Sequence, residues 1–298
     1  MARREMLGAL GFAADARVAV VHVDDVGLCP SANDGLLRAL DGAATCGSVM
    51  VPCPSFEAIA AIARDRPDLD LGVHLTLCCE YARYRWRPVR TDVPSLCAPD
   101  GAMWRTTAEV VAHARIDEVE RELRSQIDRA IDAGIDVTHL DAHMGTVLHL
   151  DLLDIYIGLG AELRVPLFLP RVTREILLAA GMPDAIDAYL GKLSAAESRG
   201  LPLFDHFDMN SLGFAPGTGL AHNEARVRAL PAGLSYLITH CASGDAALAA
   251  VTEDWRQRGE ECELYAGDTM SRVLADAGCQ TIGMRPIREW QRRDAPAA

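Results

Sequence analysis

The chain reads as an α/β protein built on parallel strands, either a β/α barrel or an open doubly wound sheet. Three observations predict this. Short apolar runs alternate with segments of helical period along nearly all of the 298 residues, giving about eight strand candidates. The first of these runs is apolar on both faces, as suits a strand covered by helices on either side. Half of the residues are hydrophobic, ample for a core that needs no covalent staples.

The first strand is VAVVHVDDVG, residues 18–27, which runs straight into the adjacent carboxylates Asp24 and Asp25. Residues 33–44 read as a helix with Asn33 as its N-cap, 48–51 as the second strand, 56–64 as a helix and 69–77 as the third strand, which carries His74. Residues 78–105 lack a clean period and are rich in Arg, Pro and aromatics (Tyr81, Tyr84, Trp86, Trp104), so they read as an insertion or long loop. Residues 116–133 are the clearest helix, with Ile116, Val119, Leu123, Ile127, Ala130 and Ile131 as its apolar positions and Gly134 ending it. A fourth strand at 135–140 delivers HLDAH. A helix at 151–159 and a strand at 163–169 follow, then an alanine-rich helical segment at 173–199 broken near 181–183. Strands at 201–207 and 234–239, helices at 253–263 and 268–277, a short strand at 280–284 and a basic C-terminal helix complete a single domain of residues 1–298.

Composition narrows the partners. A net charge of −13 repels nucleic-acid backbones and anionic membranes, and leaves neutral or cationic substrates open. Nine cysteines, an odd number with no CxxC spacing, make neither a disulfide framework nor a thiolate zinc site; they read as core filler in a reducing cytoplasm. The opening MARREMLGALGFAADAR superficially resembles a signal peptide. Its apolar run is interrupted, however, and cleavage after Ala14 would leave almost no spacer before the first strand. No apolar run is long enough to span a membrane. There is no GxGxxG after the first strand and no Walker sequence, so nucleotide binding lacks its signature.

The polar residues fall at strand ends. Asp24 and Asp25 follow strand one, His74 belongs to strand three, His139, Asp141 and His143 close strand four, and His240 follows strand seven. In a β/α barrel these ends share one face, where such enzymes place their active sites. Two adjacent carboxylates at the end of a buried strand repel one another, which a bound divalent cation would offset; the alternative is that Asp25 caps the next helix. One carboxylate and two imidazoles make a mononuclear metal site with open positions for water and substrate. A spare carboxylate could then take a proton from water and another histidine protonate a leaving group.

Other polar residues have plainer readings. His22, inside strand one, reads as a packed core histidine, and His113, His149 and His222 as surface residues. His139 reads as holding a ligand from behind, with a third imidazole ligand as the alternative, and Asp141 is read the same way. Asp205, His206 and Asp208 either line the pocket or serve a structural hydrogen-bonding role.

HVDDVGLCPSAN, GSVMVPCPSF, DLGVHLTL and THLDAHMGTV, in that order, resemble the YdjC-like, or ChbG-type, carbohydrate deacetylases, as do the later GLSYLITHCAS, DWRQR and IGMRPIREWQR. The resemblance covers most of the chain. It implies a distorted β/α barrel related to the NodB-type polysaccharide deacetylases, one divalent metal ion, magnesium or zinc, and hydrolysis of an acetamido group on a small carbohydrate. By motif position it implies Asp25, His74 and His143 as metal ligands, Asp24 as general base and His240 as general acid. Here Met144, Gly145 and Thr146 follow His143 where the family often has HVH, and Cys241 follows His240 where it usually has Pro; both departures alter the pocket wall. A homodimer is compatible with this reading. Its rivals are hydrolysis of a non-sugar amide or ester, and a metal- or sugar-binding protein without turnover.

Overall fold

A computed structural model describes residues 2–179 and 181–294. Its seven strands are β1 (Arg17–Val26), β2 (Cys46–Val49), β3 (Leu71–Leu75), β4 (Val137–Ala142), β5 (His206–Asp208), β6 (Gly233–Thr239) and β7 (Cys279–Thr281). They form one sheet of order β4-β3-β2-β1-β6-β5, with every pairing parallel. β1 lies at the centre and is buried along its length except at Arg17. One edge of β1 pairs with β6 from Arg17 to Val23; the other pairs with β7 at Arg17 to Ala19 and with β2 from His22 onward.

The two ends of this sheet are joined through irregular backbone, which gives the distorted barrel. The Leu140 amide donates to the Pro166 carbonyl (3.1 Å) and the Phe168 amide to that of Leu140 (2.9 Å). The Phe204 amide then donates to the Leu169 carbonyl (3.0 Å) and the Arg171 amide to that of Phe204 (2.7 Å). The strand expected at 163–169 is therefore reduced to isolated bridges at Leu167 and Pro170. The preceding helix, Leu153–Leu163, runs into it, and Pro166 and Pro170 have no amide hydrogen to extend a ladder.

Other boundaries shift for local reasons. The helix after β1 is Pro30–Leu40, with Cys29 and not Asn33 at its N-cap position. Asn33 lies inside it, buried, with its side-chain oxygen accepting from the Gly27 amide (2.7 Å) and its NH₂ donating to the Ser55 carbonyl (2.9 Å). Helices at Thr107–His113, opened by a Thr106/Glu109 capping box, and at Gly219–Ala229 were not legible by period.

The helix Ile116–Asp132 packs with Val119, Leu123, Ile127 and Ala130 inward. Ile116 and Ile131, expected in that stripe, are about half exposed. Buried Glu118, Glu122 and Gln126 extend the inner face instead. Glu122 accepts from the amides of Val89 (2.8 Å) and Arg90 (3.0 Å), and Glu118 from the Ser95 amide (2.8 Å), so this helix anchors the irregular 78–105 segment.

Tyr156 holds the closure of the barrel from within. Its hydroxyl lies 2.8 Å from the Leu140 carbonyl and 3.2 Å from that of Phe168. Tyr156→Phe should lower the free energy of unfolding by about 1 kcal/mol. Urea titration should show this as a lower midpoint with unchanged slope.

Candidate metal and active site

The site begins with a fault in β1. β1 and β2 pair at Val23↔Gly47 and again at Val26↔Val49, so β1 carries one residue more than its partner between the two. Asp25 absorbs the extra residue with φ +62°, in the left-handed region that non-glycine residues rarely occupy, and Gly27 follows at φ +89°. Adjacent residues of a regular strand would point to opposite faces. The bulge lets Asp24 and Asp25 line the same cavity. Asp25 does not cap the next helix, whose N-cap residue, Cys29, makes no side-chain cap bond.

That cavity, of about 320 Å³, is lined by Asp24, Asp25, His74, Asp141, His143 and His240 among others. The structure thus gathers residues from β1, β3, the end and exit of β4, and the exit of β6 at the carboxyl ends of the strands. A wider hollow of about 740 Å³, walled by residues 80–83 and 249–254, adjoins it through Glu80 but contains none of the Asp–His cluster.

Asp25, His74 and His143 form a buried group able to hold a metal ion. Asp25 Oδ1 lies 3.5 Å from His74 Nε2 and 3.2 Å from His143 Nδ1. Each imidazole is pinned from behind. His74 Nδ1 lies 2.8 Å from Asp141 Oδ1, and His143 Nε2 lies 2.9 Å from Glu80 Oε2. Parallel register places His74 directly opposite Asp141, and Ser48 on β2 donates to Asp141 Oδ2 (2.8 Å). A carboxylate behind each histidine fixes which nitrogen faces forward, an arrangement typical of metal-binding imidazoles. One carboxylate oxygen and two such nitrogens fit a divalent cation.

The electrostatics agree with a preformed site. Burial by itself would raise the Asp25 carboxyl, but the Arg258 guanidinium, 2.7 Å from Oδ2, and bonds from His143 and His74 hold it well below the usual carboxylate range. Burial pushes His74 down, and the Asp141 carboxylate outweighs this and lifts it to about 10. His143 is likewise raised against burial, by Glu80 and Asp25. Without a cation the two imidazoles therefore hold protons that stabilise Asp25.

His240 is oriented by residues the sequence did not single out. Its Nδ1 is 3.0 Å from Ser211 Oγ, which lies 2.8 Å from each carboxylate oxygen of Glu261, and Glu261 also accepts the His240 amide (2.7 Å). His240 Nε2 is left facing the cavity, 4.0 Å from Asp25 Oδ2. His139 is buried beneath the cavity, outside its lining, with Nε2 2.8 Å from His22 Nε2, so it neither faces the cluster as a ligand nor backs one.

Asp208 accepts from Arg226 Nε (2.8 Å), and Asp205 accepts the Leu234 amide (2.9 Å); neither lines the cavity. Trp86 is buried, its indole N–H bonded to the Cys78 carbonyl (3.1 Å), and Trp104 donates to the Ser95 carbonyl (2.8 Å). Trp86 packs edge-on against His143 (5.9 Å between ring centroids) and Trp104 against His113 (4.1 Å), and neither lines the cavity. Glu80 and Arg258, which do reach the site, were not singled out as site residues: Glu80 sits in an aperiodic stretch, and Arg258 entered only as the last residue of DWRQR.

The fold and this cluster define an α/β barrel with a metal-capable site at the carboxyl ends of its strands. Residues 18–276 match the YdjC-like protein family, and the chain belongs to that family. It is 34% identical over 277 residues to a carbohydrate deacetylase of Thermus thermophilus, covering 92% of this chain and 94% of that one. To a carbohydrate deacetylase of Geobacillus stearothermophilus it is 29% identical over 270 residues, covering 90% and 97%. A third carbohydrate deacetylase, from Brevibacillus brevis, is 36% identical over 152 residues, so the match spans 51% of this chain and 58% of that one. The fold is shared with a solved structure from Enterococcus faecalis V583, described as a candidate cellobiose-phosphate cleavage protein, at a TM-score of 0.73 and 20% identity over 91% of this chain and 99% of that one.

Two outcomes follow from the pinned imidazoles. Asp141→Asn should weaken zinc affinity roughly 10- to 100-fold, as read by competition with a chromogenic chelator. A cation must also displace the proton on His74, so apparent affinity should climb as pH is raised toward about 10 and binding should release protons, measurable by calorimetry in buffers of different ionisation enthalpy.

Proposed function

We propose that this chain is a metal-dependent deacetylase that hydrolyses the acetamido group of an N-acetylated sugar or short oligosaccharide. The observation that carries the reading is one spare carboxylate, Asp24, lining the same cavity as a complete Asp–His–His donor set. Full-length relatives named carbohydrate deacetylase support it. Two nitrogen donors beside one oxygen favour zinc or a similar late first-row ion over magnesium, which prefers an all-oxygen shell.

A cation held by Asp25, His74 and His143 would supply Lewis acidity toward the acyl oxygen and the attacking water. Asp24 takes the proton from that water, and His240, with Nε2 toward the cavity and Nδ1 steadied by Ser211, hands a proton to the departing amine. Arg258, held by Asp25 (2.7 Å) and Asp254 (2.8 Å), keeps Asp25 ionised and oriented. The wider hollow beside Glu80 gives room for further sugar units. Nine free cysteines, eight of them buried, favour a reducing compartment, the cytoplasm. No helix among the described residues is long and apolar enough to cross a membrane.

One observation favours a second substrate reading. Leu148, Phe168 and Ile238 add apolar side chains to the cavity lining, where ring hydroxyls would find no partners. That lining suits an amide or ester with an apolar portion.

Acetate release from N-acetylglucosamine and N-acetylated oligosaccharides, with zinc re-supplied to stripped protein, tests the first reading, and simple acyl amides and esters test the second. Asp24→Asn should lower turnover by roughly a thousandfold or more while zinc stays bound. Metal-loaded wild type that releases acid only from non-sugar substrates would establish the second reading. No turnover with either class would leave a binding protein.

A further inference from the structure

We infer that His22 is a positioning residue for Asp24, held in place by His139 through a buried chain of hydrogen bonds; the inference rests on Asp24 being the proton acceptor proposed above. His22 and Asp24 lie two residues apart on β1 and so share a face of the strand. His22 Nδ1 is 2.6 Å from Asp24 Oδ1. On the far side of the ring, His22 Nε2 is 2.8 Å from His139 Nε2, and His139 Nδ1 is 2.9 Å from Thr138 Oγ1. His22, His139 and Thr138 are fully buried.

With Asp24 ionised, as a proton acceptor must be, the hydrogen bonds leave one outcome at its carboxylate. Two facing Nε2 atoms at hydrogen-bond distance share a single proton. If His139 holds it, His22 is a neutral imidazole whose only proton is on Nδ1. If His22 holds it, His22 carries both protons. In either arrangement an N–H of His22 points at Asp24 Oδ1. The carboxylate is thereby fixed in one orientation, with its other oxygen free.

The fold makes room for this chain. Gly72 on β3 abuts His139, and a Cβ there would lie 2.6 Å from ring atoms of that histidine. Tyr236 stacks on the ring of His22, with centroids 4.9 Å apart. Apolar side chains would fill such an interior at lower desolvation cost. Two buried imidazoles in series, ending on a carboxylate that lines the cavity, are instead matched to the geometry a proton acceptor requires.

Three substitutions at position 22 test the assignment. Asparagine places an N–H donor at the same number of bonds from Cα as Nδ1, glutamine places it one carbon farther out, and leucine removes it. His22→Leu should lower kcat roughly 10- to 100-fold while KM and zinc affinity, the latter read by chelator competition, change by less than about threefold. His22→Asn should recover kcat to within about fivefold of wild type. If His22→Leu does not fold, His22→Gln takes its place, with the same loss expected.

Wild-type kcat in His22→Leu or His22→Gln would overturn the inference. So would an asparagine variant as impaired as these, or a fall in zinc affinity in step with kcat. A readout independent of turnover separates this inference from the proposed function. Wild type should show a far-downfield imidazole proton in nitrogen-edited NMR that disappears in His22→Asn and in Asp24→Ala. An enzyme inactive on every acylated compound would sink the proposed function. The pairing would then stand or fall on that proton, and its absence from wild type would overturn it.

Discussion

The left-handed backbone at Asp25 is the constraint on which the rest of the cavity depends. A non-glycine residue there costs roughly 1–2 kcal/mol. Three bonds to neighbouring elements hold the turn: the Gly27 amide to Asn33, the Met50 amide to the Val26 carbonyl, and the Ser55 amide to the Gly27 carbonyl. Because β1 bulges there, two successive carboxylates face one space and can take different partners. Asp24 turns to His22 and Asp25 to His74, His143 and Arg258. A regular strand would have delivered one of them to the cavity and buried the other in the layer of helices.

A buried polar network adjoins the cavity. Ser48, His22, His139 and Asp141 are all buried, and their polar side-chain atoms bond to one another or to the strands around them. Such a network is costly if any member is left unpaired, and rigid when complete. It has two branches that meet where Asp141 Oδ2 lies 3.6 Å from His22 Nε2. One branch supports His74 and the candidate metal site, the other supports Asp24. The orientation of both working groups is therefore set by the same packed interior.

Much of this was legible in the sequence, and the reasons are local. β1, β3, β4 and β6 lie in short, mainly apolar stretches that alternate with helical ones, so their ends, and the placement of Asp24, Asp25, His74, Asp141, His143 and His240 on one face, followed from the parallel alternation alone. The 163–169 strand failed because two prolines and an over-running helix leave only bridges, which hydrophobic pattern does not reveal. Asn33 was misplaced because the same residue type that caps helices also ties loops together from inside one. His22 looked like core because it is core; its bond to Asp24 spans two residues, but its other partner, His139, is 117 residues away in sequence. Glu80, Ser211, Arg258 and Glu261 act only through tertiary contact, and no spacing announces them.

The central claim is that Asp25, His74 and His143 bind one divalent cation with Asp24 left free beside it. Anomalous diffraction at the zinc edge from zinc-loaded crystals tests this most directly. A single strong peak is expected within bonding distance of Asp25 Oδ1, His74 Nε2 and His143 Nδ1, with Asp24 still paired to His22. A peak coordinated by Asp24, a peak on the Glu80 side of His143, or no peak in this cavity would contradict the account.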